Sequence, residues 1–375
     1  METLFVVSVA FIVYTYMFYP LVIFLWGTLF PRRIEKDYQR VPLTVVLAVR
    51  NEESNIEARL EDLRAQDYPS ELVEIVVVSD ASTDRTVELA RRFEGDRVKV
   101  LELTRSAGKS GALNAGVAAA ANDLIVFADA RQRFGDNVFA ELTAVLADGR
   151  IGGVSGELVI EPKSGSEVGE GVGLYWRYEK LIRRMESASG SVVGATGSIY
   201  AIRKRLYVPL PEHTLLDDFV VPMRIVLRGY RVVFERSARA YDISSATAAQ
   251  EFARKVRTLA GNFQAVAIEK RLLDPFRNPV FFQFISHKLA RLVVPYFCIA
   301  ALASSGLTAG AFFRTLFALQ LVFYCLGLLN LTVIGRTWIG VFTRVSWTFI
   351  VLNAAAVAGF WVFVTGRYRT VWRRA

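Results

Sequence analysis

Three stretches without a single charged residue, 3 to 31, 315 to 335 and 345 to 366, set the frame for this chain. Each is long enough to cross a bilayer, which takes about 20 apolar residues. A fourth run, 292 to 310, is a weaker span, because it carries Pro295 and ends in Ser-Ser-Gly and Thr-Ala-Gly. In lipid, backbone groups must be satisfied internally, so such runs are read as helices. What lies between them must fold in water. The apolar share of 53% is therefore a property of the ends rather than of the middle.

The first run has no basic residue before it, is too long for a leader core and lacks an Ala-x-Ala-like exit, so an uncleaved anchor is expected. Arg32, Arg33 and Lys36 follow it, whereas only Glu2 precedes it. The positive-inside rule then puts residues 32 onward in the cytoplasm, at the plasma membrane. The tail from Arg367 to Arg374 favours the same side, although three spans after a cytoplasmic domain would carry it out. Either one of the three is re-entrant or interfacial, or the tail lies at the outer headgroups.

Lys and Arg number 45 against 36 Asp and Glu, a net charge of +9. The arginines gather at membrane boundaries and no nucleic-acid motif occurs, so the expected partner of this charge is anionic lipid rather than nucleic acid. Cys298 and Cys325 both lie in apolar runs, and His213 and His287 are the only histidines. A disulfide framework, a cysteine zinc site and a multi-histidine metal site are thereby excluded.

From about residue 41 to 240, short Val/Ile/Leu runs alternate with helical patterns. Strands are expected near 43–48, 73–79, 98–103, 124–128, 154–160, 198–202 and 230–234. Helices are expected near 54–66, 84–93, 111–120, 137–146, 168–187 and 219–227. This alternation predicts an α/β fold with a doubly wound, mainly parallel sheet. Pro162 to Gly169 reads as a flexible linker. From 274 to 291, Phe276, Arg277, Phe281, Phe282, Phe284, His287 and Lys288 mix aromatic and basic character, as in a helix lying in the membrane interface. The expected plan is an anchor 1–31, a soluble domain 32–273, an interfacial helix 274–291, transmembrane helices 292–366 and a basic tail 367–375.

Polar residues follow several of the apolar runs. Asp80 comes after Val76-Val-Val-Ser79, Asp129 closes Val-Phe-Ala128, and Asp217-Asp218 opens a helical pattern. Lys109 sits between glycines in Ala107-Gly-Lys-Ser-Gly111. Open α/β sheets bind ligands at the carboxyl ends of their strands. Carboxylates there, beside such a lysine, suit a phosphate-bearing nucleotide, a divalent metal and a general base. Plainer readings stand beside these: Ser82 to Asp84 as helix caps, Lys109 as a surface lysine, and Asp217-Asp218 as an acidic pair favoured by a helix dipole. A P-loop is ruled out, because Leu103 stands where its first glycine belongs.

The order and spacing of these residues resemble the membrane-bound family 2 glycosyltransferases, whose relatives include cellulose, hyaluronan and chitin synthases. The resemblance covers about residues 41 to 265 and implies a GT-A-like fold. It implies that Asp80 contacts the uracil ring, that Lys109 approaches the donor pyrophosphate, and that Asn114 supports that pocket. It places Asp129 at the head of an Asp-x-Asp motif holding Mg2+ or Mn2+. Arg131 replaces the second aspartate there and would pair with a phosphate or a nearby acid. Asp218 takes the catalytic base position and Asp217 that of the preceding glutamate. Gly197 and Ser198 lie under the acceptor. Arg254 and Arg257 fall in a segment that reads Gln-x-x-Arg-Trp in processive synthases, but Arg254 and Thr258 replace its Gln and Trp. The expected function is inverting transfer of a sugar, most simply from a UDP-sugar, to a hydroxyl of a membrane-associated lipid or glycan. The alternatives are a processive exopolysaccharide synthase and a catalytically silent membrane scaffold. Retention of Asp80, Lys109, Asp129 and Asp218 together argues against the scaffold.

Overall fold

The computed structural model describes residues 1–161, 169–243, 248–329 and 338–367. The linker expected at 162–169 falls almost wholly outside them, as does all but the first residue of the basic tail.

Eight strands form one sheet: β1 Leu43–Val49, β2 Val73–Ser79, β3 Val98–Glu102, β4 Leu124–Ala128, β5 Arg133–Phe134, β6 Ile151–Glu161, β7 Ile199–Arg203 and β8 Arg231–Ile243. Their order is β3-β2-β1-β4-β7-β6-β8-β5. The first four are parallel, as expected. β7 runs antiparallel to both β4 and β6, so the second half of the sheet is mixed. An apolar run buried on both faces reads the same in either direction, which is why the sequence pattern did not reveal this. β5, two residues long, is too short to leave a pattern.

Side chains alternate across a strand, and β1 shows the consequence. Leu43, Val45, Leu47 and Val49 face a core shared with the helices Ile56–Arg64 and Val138–Leu146. Val46 and Ala48 face a second core with the helices Gly108–Ala119 and Asp217–Val226. Each fully buried Val or Leu contributes about 1.5–3 kcal/mol, so this central strand is fixed from both faces. Its carboxyl end is thereby a rigid platform.

Among the described residues, four helices are long and apolar enough to cross a membrane: Glu2–Leu29, Phe281–Leu307, Ala311–Leu329 and Phe342–Val364. No separate interfacial helix occurs at 274–291. The chain turns at Asn278-Pro279, proline disfavours helix in the residue before it, and from Phe281 the backbone runs directly into the second span. A π turn at Phe284–Leu289 precedes Pro295, the type of local adjustment that accommodates proline in a helix.

The spans pack closely on the water-facing domain. A Cβ on Gly27 would meet the Met185 carbonyl at 2.7 Å, so the first span lies directly on the helix Gly169–Ser189. Tyr19, Ile23, Ile182 and Met185 form a core of their own at this crossing. The helix Ala248–Ile268 meets the last span in the same way: a Cβ on Gly359 would lie 2.9 Å from the Ala260 nitrogen.

Candidate active site

The parallel strands β1, β2 and β4 end side by side, and their carboxyl ends gather the polar residues. Asp80 follows β2 and is fully buried. Its carboxylate accepts hydrogen bonds from the amides of Ala107 (2.6 Å) and Gly108 (3.1 Å) and from the Ser106 hydroxyl (2.8 Å), with Arg50 at 3.4 Å. Asp80, expected at the uracil ring, thus holds the amide-rich turn before Lys109 through both its oxygens. Gly108 makes that turn possible, with a φ of 73°. Asn51 accepts from the Thr83 amide at 2.8 Å, so Arg50, Asn51 and Ala81 to Thr83 form a rim beside this turn, exposed at Asn51 and Thr83 and half-buried elsewhere.

The turn delivers Lys109 to the centre of the site. Its ammonium lies 2.9 Å from Asp129 and 3.3 Å from Asp217. Burial alone would lower its pKa, but Asp129, Asp217 and Asp218 together hold it above the usual lysine value. Asp217 is buried and accepts a second bond from the Tyr200 hydroxyl at 3.3 Å. Tyr200 stacks on Phe127 at a centroid distance of 4.4 Å, and its own ionisation is pushed well up, by burial first and then by Asp217. Asp217, expected at the acceptor, thus faces inward.

Asp218 points the other way. Among the described residues its carboxylate accepts no hydrogen bond. Its pKa is raised to about 6, by burial first and then by the charge of Asp217, with Lys109 and Arg183 opposing. Gly197 faces it, where a Cβ would lie 2.9 Å from Oδ2. The Ser198 hydroxyl, in the next position, is buried without a partner among the described residues. Arg183, on the helix Gly169–Ser189, donates to Thr196 Oγ1 at 2.8 Å and so borders the same space.

The other expected residues are distributed differently. Asn114 binds the Leu210 carbonyl and amide, both at 2.9 Å, and the Tyr207 hydroxyl at 2.7 Å, so it holds the 207–210 loop over the site. Arg131 is exposed and makes no contact among the described residues. Arg254 is exposed and paired with Glu251, on the helix that also carries Arg257. Arg50, Arg183 and Tyr200 were not foreseen. Arg50 follows an apolar run and could have been found by that rule, whereas Arg183 and Tyr200 sit in ordinary amphipathic and strand patterns without a local signal.

A divalent cation fits this site only loosely. No group of three or more His, Cys, Asp or Glu residues gathers among the described residues. Asp129 keeps one oxygen on Lys109 and the other without a partner among the described residues, and its side chain is 34% exposed. One available carboxylate oxygen suits a cation held mainly by substrate phosphates and water, not one caged by protein.

Residues 44–208 match the family model described as Glycosyl transferase family 2. A poly-beta-1,6-N-acetyl-D-glucosamine synthase of Staphylococcus aureus is 27% identical over 230 residues, covering 60% of this chain and 55% of that protein. The match thus spans little more than half the length of that relative. A dolichyl-phosphate beta-glucosyltransferase of Drosophila melanogaster is 31% identical over 105 residues, 25% of this chain and 32% of that one. Among solved structures, a mannosyltransferase from Pyrobaculum calidifontis in complex with GDP-Man and Mn2+ superimposes with a TM-score of 0.75 at 22% identity, over 97% of this chain and 99% of that one. At that identity the likeness speaks for a shared GT-A-like fold and for nothing beyond it.

Proposed function

From residues 44–208, which are a family 2 glycosyltransferase domain, we propose that the chain transfers a sugar, with inversion, from a nucleotide diphosphate donor to a hydroxyl of a membrane-associated acceptor. The observation that carries this reading is the carboxylate of Asp218, without a hydrogen-bond partner among the described residues, lifted to about 6 and facing a glycine beside the Lys109–Asp129 pair.

Asp218 accepts the proton of the acceptor hydroxyl, and a base is most effective when its pKa lies near the working pH. The hydroxyl oxygen attacks the anomeric carbon as the bond to the diphosphate breaks. Lys109, turned from its carboxylates toward the diphosphate, offsets the charge that develops on the leaving group. Asp80 positions Lys109 by holding the turn before it. Arg50, Asn51 and Ala81 to Thr83 form the rim against which the nucleotide base lies. Asp129 would hold Mg2+ or Mn2+ through its one available oxygen, and such a cation, when bound, supplies further charge for the departing diphosphate. Arg131 stands ready as a second phosphate contact. The domain faces the cytoplasm, where nucleotide sugars are made.

A processive synthase is the second reading, and the Staphylococcus aureus relative favours it. Thr258 in place of a tryptophan speaks for single addition. Membranes carrying the chain, supplied in turn with radiolabelled UDP- and GDP-sugars, should label an acceptor with one donor, and Asp218→Asn membranes should not. Product length on a gel decides between one sugar and many. Absence of donor turnover with every nucleotide sugar would overturn the enzyme reading.

A further inference from the structure

Beside the proposed base, six ionisable side chains converge where the helix Gly169–Ser189 meets the first turns of the second span. They are Glu179, Arg183, Glu186, His287, Lys288 and Arg291. Both carboxylates are engaged by other groups. Glu179 holds His287 Nε2 and Arg291, both at 2.7 Å, one on each oxygen. Glu186 Oε1 meets the Tyr19 hydroxyl and His287 Nδ1, both at 2.6 Å, and its Oε2 faces the Val193 amide at 3.5 Å.

Two cations are left over. Arg183 donates to Thr196 Oγ1 at 2.8 Å and, at 3.4 Å, to Ser155 and the Gly194 carbonyl, but no carboxylate pairs with it among the described residues. Lys288 is half-buried and has neither a hydrogen bond nor an ion pair among the described residues. Both flank Asp218. Arg183 holds Thr196, the neighbour of Gly197, and lies in the field of Asp218. Phe219, next to Asp218, packs on Phe284 at a centroid distance of 6.1 Å. Lys288 follows Phe284 by about one helical turn, and it lies in the fields of Glu179, Arg183 and Glu186, whose two carboxylates are bonded to other groups. Cations removed from water without a paired anion are costly, so two of them beside one another call for an anionic ligand. The span that carries Lys288 continues as apolar surface, with Tyr296 and Ile299 exposed.

Resting on the reading of Asp218 as base, we propose that Arg183 and Lys288 bind the phosphate of the acceptor, which is a lipid whose headgroup carries both a phosphate and a free hydroxyl. The tail lies along the second span and the hydroxyl reaches Asp218. In the transfer the acceptor O–H proton passes to Asp218, the oxygen–anomeric carbon bond forms, and the bond to the nucleoside diphosphate breaks with its electron pair on the leaving group. The acceptor phosphate stays intact.

The test needs no donor, so its failure is separable from failure of the transferase reading. Purified full-length chain in detergent is titrated with three probes: dioctanoyl phosphatidylglycerol, dioctanoylglycerol and glycerol phosphate. The first should saturate and bind about tenfold tighter than either other probe, as hydrogen bonds to charged groups would give. Lys288→Met should remove that margin and Lys288→Arg should restore it, each variant being checked by its melting temperature. Arg183→Met should act likewise, but Arg183 also braces Thr196, so Lys288 alone decides. Equal binding of dioctanoylglycerol would show that no phosphate is read. Equal binding of glycerol phosphate would show a free-anion site and no lipid. Unchanged binding in Lys288→Met would overturn the proposal outright.

Discussion

Gly197 and Asp218 are packed so closely that the smallest side chain at 197 would come within 2.9 Å of a carboxylate oxygen. The proposed base therefore owes its position to a missing methyl group. Gly197→Ala should leave the fold intact, because the flexible carboxylate end can move, but should cut transfer by about tenfold or more, since small misplacements of reacting groups cost heavily. Initial rates and the thermal midpoint measured together test this. An alanine variant with full activity would remove Gly197 from the acceptor site.

A base with a raised pKa carries two linked expectations. Transfer should climb about tenfold per pH unit below about 6 and level off above it, because only the ionised Asp218 accepts a proton. The folded-state value lies above the ordinary 3.8, so the favourable contribution of the protonated form is complete below that value and is lost as pH rises to about 6. Asp218→Asn should accordingly lose about 100-fold or more in transfer, yet melt higher than the parent at pH 7 and no higher at pH 4. A rate profile flat through pH 6, or a lower melting point at pH 7, would count against Asp218 as the buried base.

Metal dependence follows from Asp129. With one carboxylate oxygen to offer, affinity for the cation should be low without donor and rise sharply with it. Manganese bound to purified protein, followed by its paramagnetic resonance, should be weak alone and tight with a nucleoside diphosphate. Chelator should abolish turnover. Full turnover in excess chelator would instead assign the charge of the diphosphate to Lys109 and Arg131.

The orientation of the domain can be read chemically. Asp96 lies exposed in the loop before β3. A cysteine there, in a background lacking Cys298 and Cys325, should react with an impermeant maleimide only after intact cells are broken. Labelling of intact cells would place the domain outside, away from nucleotide sugars.

How far the sequence could be read depended on what each signal encodes. β1, β2 and β4 were legible as strands because unbroken Val/Ile/Leu runs bounded by polar residues mark strands buried on both faces, and the acids that follow them came with the strands. The direction of β7 was not legible, since Ile199 to Arg203 would look the same reversed. Asp80 and Asp217 were found as residues but not as orientations: which way a carboxylate turns depends on amides and hydroxyls brought from 107–108 and 200. Arg183 was invisible for a different reason. It is one arginine in an amphipathic helix, and only the pairing of Glu179 and Glu186 with other groups leaves it without an ion pair among the described residues. The missed continuity of 281–307 came from reading the mixed aromatic and basic residues of 274–291 as a separate interfacial helix, when from Phe281 they form the first turns of the span.

The close crossing of Gly27 over Met185 makes the first span a wall of the catalytic domain and not a leash. A tethered domain would sample many heights above the bilayer, whereas one clamped at this crossing keeps a single altitude. Reach then becomes a criterion of selection: an acceptor hydroxyl is used when its own headgroup holds it at that altitude, and one lying deeper or standing taller is passed over whatever its chemistry.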